Sequence, residues 1–185
     1  MELDKAIRER HSVRRFSTKK ADWRDILKAL DCARLAPLAG NISTLKFMLV
    51  SEEEKIKHLG RACQQSFIGT TGYIVVVVTD TAQLKRSYDE RGEKYCSQQA
   101  GAAIENFLLK ITDLGLSTCW VGAFSDFEVK KILEIPDEMI VEALFPIGYE
   151  MPPKSKQRVK PSLDSRLFFN KWKNKYMKPW RKPEA

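Results

Sequence analysis

A chain of 185 residues with 43% hydrophobic content is long enough for one α/β domain with a substantial core and short for two, so a single domain over 1–185 is expected, with about 162–185 as a C-terminal extension. Its formal net charge of +8 and pI near 9.3 favour anionic partners, whether nucleic acid, a membrane surface or a phosphorylated cofactor, and do not choose among them. Cys32, Cys63, Cys96 and Cys119 lie far apart, without C-x-x-C spacing or neighbouring histidines, which argues against structural zinc, and no apolar run approaches the ~20 residues of a membrane helix. The expectation is a soluble cytoplasmic protein without a leader segment, its thiols reduced and packed in or near the core.

Leu3, Ala6 and Ile7 recur at helical spacing around a possible cap at Asp4, so a short helix should end near Arg10 with that side chain free to reach out. There follows Arg10-His11-Ser12-Val13-Arg14-Arg15-Phe16, in which cations, an imidazole and a hydroxyl precede an aromatic anchor. Arginine's planar fork donates two parallel charge-assisted bonds to a phosphate, and a serine hydroxyl and backbone N–H can fill the remaining oxygens. A solvated basic turn closing a surface helix is the other reading of the same residues.

Trp23, Ile26, Leu27, Leu30 and Ala33 repeat at helical spacing behind Asp22 as N-cap, and Pro37 ends that helix. The small-residue segment Ala36-Pro37-Leu38-Ala39-Gly40-Asn41 lets a backbone approach a ligand closely, or is an ordinary helix-to-strand turn. Leu45 to Val50 reads as a strand, and Ser51 to Glu54 as the acidic start of a helix carrying Ile56 and Leu59, with His58 on its surface and Gln64 and Gln65 near its end. The unbroken Ile-Val-Val-Val-Val within Tyr73 to Val78 predicts a central strand buried on both faces. Residues 81–94 are too weakly periodic to assign.

Tyr95 to Leu114 is the longest apolar-periodic segment, and Gly115 supplies its C-terminal cap. The small residues Ala100-Gly101-Ala102-Ala103 make one face smooth enough for close helix packing, so this is expected to be the central helix and part of a subunit interface. A short strand within 115–124 leads to Ser125-Asp126-Phe127-Glu128, a capping box, and the Gly122-Ala123 pair between them leaves backbone N–H groups free to donate. Ile140 to Tyr149 reads as the last core strand. Phe168, Trp172, Tyr176 and Trp180 fall at four-residue steps on a lysine-rich segment, predicting a helical aromatic stripe up to Pro179 that needs a partner surface.

Arg-His-Ser-x-Arg-x-Phe after one short helix resembles the opening signature of the FMN-dependent nitroreductase family, and the Gln-Gln-Ala-Gly-Ala-Ala-Ile-Glu-Asn-Phe-Leu-Leu run resembles that family's core helix. The resemblance extends from Arg10 to about Pro161. It implies an α+β fold with a central, mostly antiparallel sheet flanked by helices, dimeric, with a C-terminal extension reaching the partner. It implies that Arg10 and Ser12, with His11 beside them, bind the FMN phosphate and ribityl chain, and that Arg14 approaches the isoalloxazine ring. Pro37, Leu38, Ala39 and Asn41 would lie against the ring from the partner subunit, and Gln64 or Gln65 would meet its pyrimidine edge. The backbone at Gly122, with Ala123 adjacent, would face flavin N5; many members have a glutamate there, so only the backbone role carries over. Arg158 first, and Lys160 second, would form another phosphate clamp ahead of Pro161, although Lys156 is near and the spacing differs.

The activity so implied is hydride transfer from NADH or NADPH through FMN to an oxidised small-molecule acceptor such as a nitroaromatic or quinone, with no catalytic side chain and no metal. A non-catalytic FMN-binding module would keep the same contacts. A basic nucleic-acid-binding protein would account for the charge, but the chain carries no recognisable helix-turn-helix, RNP or zinc module, and neither nucleic acid nor membrane is expected as a partner.

Overall fold

The apolar run Tyr73–Thr79 is the second strand, β2, of a four-stranded sheet in the computed structural model, which describes residues 1–153 and 160–177. The other strands are β1 (Leu45–Val50), β3 (Ser117–Thr118) and β4 (Ile140–Gly148), ordered β1-β2-β4-β3 with every pair antiparallel. Around them lie α1 (Leu3–Glu9), α2 (Trp23–Ala33), α3 (Glu53–Ala62), α4 (Ala82–Tyr88), α5 (Arg91–Asp113) and α6 (Asp126–Leu133). This is the expected α+β arrangement. The chain divides into two units, Met1–Ser155 and Lys156–Ala185, and the sheet and all six of these helices belong to the first.

The position of β2 follows from its composition. Side chains alternate across a strand, so a run without polar residues is stable only between two apolar layers. Val75 and Val77 join Ala143, Phe145 and Ile147 of β4 in a core with Ile26 and Ala29 of α2 and Ala103, Phe107 and Ile111 of α5. Ile74, Val76 and Val78 face the other way, into a core with Ile56 and Leu59 of α3 and Val129 and Leu133 of α6. Each such fully buried aliphatic side chain is worth about 1.5–3 kcal/mol over exposure. A bulge between Val77 and Val78 shifts the pairing with β4 by one residue.

Helix ends show which sequence signals act. The Asp22 carboxylate accepts the Arg24 N–H at 2.9 Å, and the Ser125 hydroxyl accepts the Glu128 N–H at 3.4 Å, as their positions predicted. Asp4 does not cap α1: Glu2 holds the N-cap position, without a side-chain bond, and Asp4 lies in the first turn. Ala100 and Ala103 of α5 face inward, into the core shared with Ala29 and Ala33 of α2, so α2 takes the close approach they permit. Gly101 is on the outer side, where an added Cβ would meet nothing within 4 Å. Among the described residues, no helix is long and apolar enough to cross a membrane.

The second unit corrects one expectation. Residues 160–177 contain a single 3-10 turn, Leu163–Ser165, and no helical stripe. Asn170 (φ 60°) and Lys173 (φ 67°) take left-handed conformations that end any helix, and the Asn174 amide donates to the Phe169 carbonyl at 2.8 Å to close the turn. Phe168 and Trp172 still meet, with ring centroids 4.6 Å apart, while Lys175 stands 4.1 Å over the Phe168 ring. Lys156, Arg158, Pro179 and Trp180 lie outside the described residues.

Candidate functional site

The basic stretch leaves α1 at Arg10, whose ψ of 121° breaks the helix, and then runs as an irregular ribbon along the sheet. Val13 N–H donates to the Thr118 carbonyl of β3 at 2.9 Å, and Ser17 N–H to the Tyr149 carbonyl beyond β4 at 2.8 Å. Val13 (1% exposed) and Phe16 (6%) are driven into the core, which leaves Ser12, Arg14 and Arg15 exposed. The apolar residues thus decide which way the polar ones face. Phe16 also stacks on Phe67 (6.4 Å between centroids) and lies over Gly148, where a Cβ would sit 3.0 Å from its ring.

Side-chain contacts hold several polar residues of this ribbon, among them Arg15, whose guanidinium donates to the Met151 sulfur at 3.8 Å. Arg10 is not free: its Nε stands 3.8 Å from a carboxylate oxygen of Glu105 on α5. The His11 ring is fixed at both nitrogens, Nδ1 lying 2.7 Å from the Glu9 carbonyl and Nε2 3.1 Å from the nearly buried Glu150 carboxylate. His11 therefore braces the end of α1 against the residue that follows β4 and Tyr149. Beneath the ribbon, burial pushes the Cys119 thiol up, while Arg14 and a hydrogen bond with Ser12 pull it the other way. The Thr118 hydroxyl next to it is buried without a partner among the described residues.

A cleft lies at the end of α3. Gln64 turns left-handed (φ 53°), its N–H donating to the Arg61 carbonyl at 2.9 Å, while Gln65 N–H donates to the Gly60 carbonyl at 3.2 Å. Gln64 is exposed and Gln65 half-buried. Across from them, Val121 is bonded to Leu144 through both its N–H and its carbonyl (3.0 Å each), and the exposed Gly122-Ala123 pair follows. Ser125 N–H donates to the Ala62 carbonyl at 2.9 Å, tying the two segments together. Gln64, Ala123, Phe124, Ser125 and Glu128 line one cleft, floored by Ala62 and Cys63. Burial pushes the Cys63 thiol up to about 11, so it stays protonated at neutral pH.

The segment at 37–41 stands elsewhere. Ala39 N–H donates to the Gln99 side chain of α5 at 3.2 Å, and Gly40 (φ 56°) passes so close to Tyr88 that a Cβ would fall 2.4 Å from its hydroxyl. Gln99 and Glu105 are six residues apart on α5, about 9 Å along the axis and two-thirds of a turn round it. This segment and Arg10 therefore attach to different flanks of the helix. Of the predicted phosphate clamp, Arg158 lies outside the described residues and Lys160 is exposed in the second unit.

The ribbon thus carries Arg10, His11, Ser12 and Arg14, and the cleft beside α3 carries Gln64 and Ala123, with Gln65 and Gly122 their chain neighbours, while Pro37, Leu38, Ala39 and Asn41 stand on another segment, tied to α5. Sequence reasoning missed Glu105, Glu150, Gln99 and Tyr88. Only Gln99 gave a signal, as a polar residue in the buried phase of α5 between Cys96 and Ala103. Among the described residues no group of His, Cys, Asp or Glu could hold a metal ion.

The exposed Arg14 guanidinium and Ser12 hydroxyl can each bond an anion, and Ala123 of the open backbone borders the cleft that Gln64 and Glu128 line. The Nitroreductase family model matches residues 7–70 and 59–149. An Archaeoglobus fulgidus protein named NADH dehydrogenase/NAD(P)H nitroreductase is 31% identical over 150 residues, covering 78% of this chain and 83% of that one. A nitroreductase family protein of Clostridium novyi NT superposes with a TM-score of 0.76 at 28% identity, over 94% of this chain and 96% of that one. An FMN-dependent nitroreductase of Clostridium difficile R20291 shares the fold, with a TM-score of 0.75 at 22% identity over 90% of this chain and 98% of that one. With its matched residues spanning most of its length, the chain belongs to the nitroreductase family of oxidoreductases.

Proposed function

We propose that this protein is a homodimeric FMN-dependent oxidoreductase that passes hydride from NADH or NADPH to an oxidised small molecule such as a nitroaromatic or quinone. The observation that supports this reading is the ribbon that carries Arg10 with the exposed Ser12 and Arg14, together with an exposed Gly122-Ala123 backbone elsewhere in the same unit, in a chain whose family relatives include proteins named NAD(P)H nitroreductase.

The donor set fits FMN. Arg10 and Ser12 would take the phosphate. For Arg10 this means leaving Glu105, a partly exposed pair at 3.8 Å that is worth ~0–1 kcal/mol, for a charge-assisted bond to phosphate worth about 1.5–3 kcal/mol. The phosphate wins. Gln64 or Gln65 would meet the pyrimidine edge, Arg14 would hold positive charge at the N1–C2 edge, and the 37–41 segment of the second copy would cover the ring. His11, engaged at both nitrogens, would act by fixing the ribbon on which Arg10 and Ser12 stand. FMN held by these residues would supply the two-electron chemistry of the proposed reaction. No side chain of the chain is assigned an acid–base role.

The test is direct. The purified protein should be yellow, release FMN on denaturation, and oxidise NADH or NADPH only when a nitroaromatic or quinone is supplied. A protein that takes up no FMN refutes the reading, and one that binds FMN without turnover is the non-catalytic module.

A further inference from the structure

We propose that Gln99 is a positioning residue: through the hydrogen bond it accepts from Ala39 N–H, it sets the backbone of residues 38–41 against the flavin. The assignment rests on the FMN reading above. Gln99 is 4% exposed, on the face of α5 that carries Cys96, Ala100 and Ala103 into the interior. An apolar residue would fill that position at no polar cost, whereas a buried amide is tolerated only when its groups are bonded. Both ends are. Its Oε1 accepts the Ala39 N–H at 3.2 Å, and its Nε2 donates to the Thr44 hydroxyl at 3.3 Å. Thr44 is itself 2% exposed, and its carbonyl accepts the Asp80 N–H at 2.9 Å, so the far end of the amide is fixed to the residue after β2.

What Gln99 holds is a segment with few hydrogen bonds of its own, packed at Gly40 against Tyr88. Leu38 is extended (φ −120°, ψ 134°), and Gly40 and Asn41 (φ 56° and 58°) are consecutive left-handed residues, a conformation that costs a non-glycine residue ~1–2 kcal/mol. Within the segment, Asn41 N–H reaches the Leu38 carbonyl at only 3.4 Å, and Ile42 N–H reaches the Ala39 carbonyl at 3.0 Å. Pro37, Gly40 and Asn41 are exposed. The buried amide thus anchors the start of an exposed backbone whose other neighbour is Tyr88, packed against Gly40.

The bond can be cut from either side. Gln99→Met keeps the length of the side chain and removes both bonds. Ala39→Pro removes only the N–H, and the extended Leu38 is the conformation a residue before proline prefers. Thr44→Val cuts the far bond and leaves the near one. The expectation is that Gln99→Met and Ala39→Pro each weaken FMN binding about tenfold, in line with one hydrogen bond lost. Both should shift the visible spectrum of bound FMN, and the double variant should be no worse than either single one. Thr44→Val, which frees the far end of the amide, should weaken FMN binding less than Gln99→Met does, while Ile111→Val, a core change on α5 away from the bond, should lower the unfolding temperature and leave FMN affinity and spectrum unchanged. Wild-type affinity and spectrum in Gln99→Met and Ala39→Pro overturn the proposal. So does an Ile111→Val variant that loses FMN as Gln99→Met does, because FMN binding would then follow stability alone. If Gln99→Met does not fold, Ala39→Pro reads the same bond. A wild-type protein that takes up no FMN sinks the flavin reading and this assignment together, and that outcome is visible before any variant is made.

Discussion

Gly122→Pro separates a backbone donor from a packing role. A Cβ at Gly122 would meet only Trp120 Nε1, at the ordinary contact distance of 3.9 Å, and Val121 before it is held in an extended pairing with Leu144. An extended residue is what a following proline requires. No hydrogen bond from Gly122 N–H exists among the described residues, so the ring deletes no bond of the fold and, by stiffening the unfolded chain, should stabilise by ~0.4–1 kcal/mol. If that N–H instead donates to flavin N5 while hydride moves, its loss removes a bond to a developing charge, worth about 1.5–3 kcal/mol, or roughly 10–150-fold in rate. Gly122→Ala keeps the donor and adds only the methyl, so it isolates the steric part. Anaerobic stopped-flow mixing of FMN-loaded protein with NADH or NADPH, followed at the flavin absorbance, reads the rate. Slow reduction in Gly122→Pro with near-normal FMN affinity is expected. A folded, FMN-replete Gly122→Pro protein that is reduced at the wild-type rate would show that the N5 contact lies elsewhere.

Arg10→Ala should weaken FMN binding by about 1.5–3 kcal/mol and yield pale protein, checked by flavin fluorescence titration. The Lys110 ammonium and the Met1 amino group hold the Asp113 carboxyl down to about 2 from an ordinary 3.8, so its contribution to stability is complete above about pH 4 and is lost as pH falls toward 2. Asp113→Asn should flatten the pH dependence of denaturant unfolding over that interval and leave it unchanged above. Leu27 is 44% exposed on α2, so Leu27→Arg should cost a lone protomer under about 0.5 kcal/mol, yet should dissociate a dimer that buries this face. Light scattering that finds the intact wild-type protein monomeric with full FMN content would remove the homodimer from the proposal.

Much of the fold was legible because its elements bury apolar residues with a clear period. Val75 and Val77 against Ile74, Val76 and Val78 is a period of two read off one stretch, and the two cores follow it. The region 81–94 resisted for the opposite reason. In α4 only Leu84 is buried, and the elbow into α5 depends on Gly92, where a Cβ would come within 2.4 Å of the Leu84 carbonyl. A close contact between Gly92 and the backbone of α4 leaves no periodic trace. The tail misled because four-residue spacing of aromatics was read as a helix, while Asn170 and Lys173 make turns there. At the site, the cations of the basic stretch were evident, but their partners were not: Glu105 and Glu150 lie 95 and 139 residues away from Arg10 and His11, and only the topology brings them near.

α5 links the two groups of site residues. Gln99, on its buried phase, holds the 37–41 segment, and Glu105, on its exposed phase, holds Arg10. The two attachments differ in strength for the same reason that they differ in phase. The Gln99 bonds are shielded from water, and removing one leaves a buried polar group unpaired, so the segment they hold is fixed. The Glu105 contact is exposed and screened, so it orients Arg10 without preventing its departure. A phosphate site needs the second property and a ring-facing backbone needs the first. One helix thus presents a fixed surface on one flank and a weakly held cation on another.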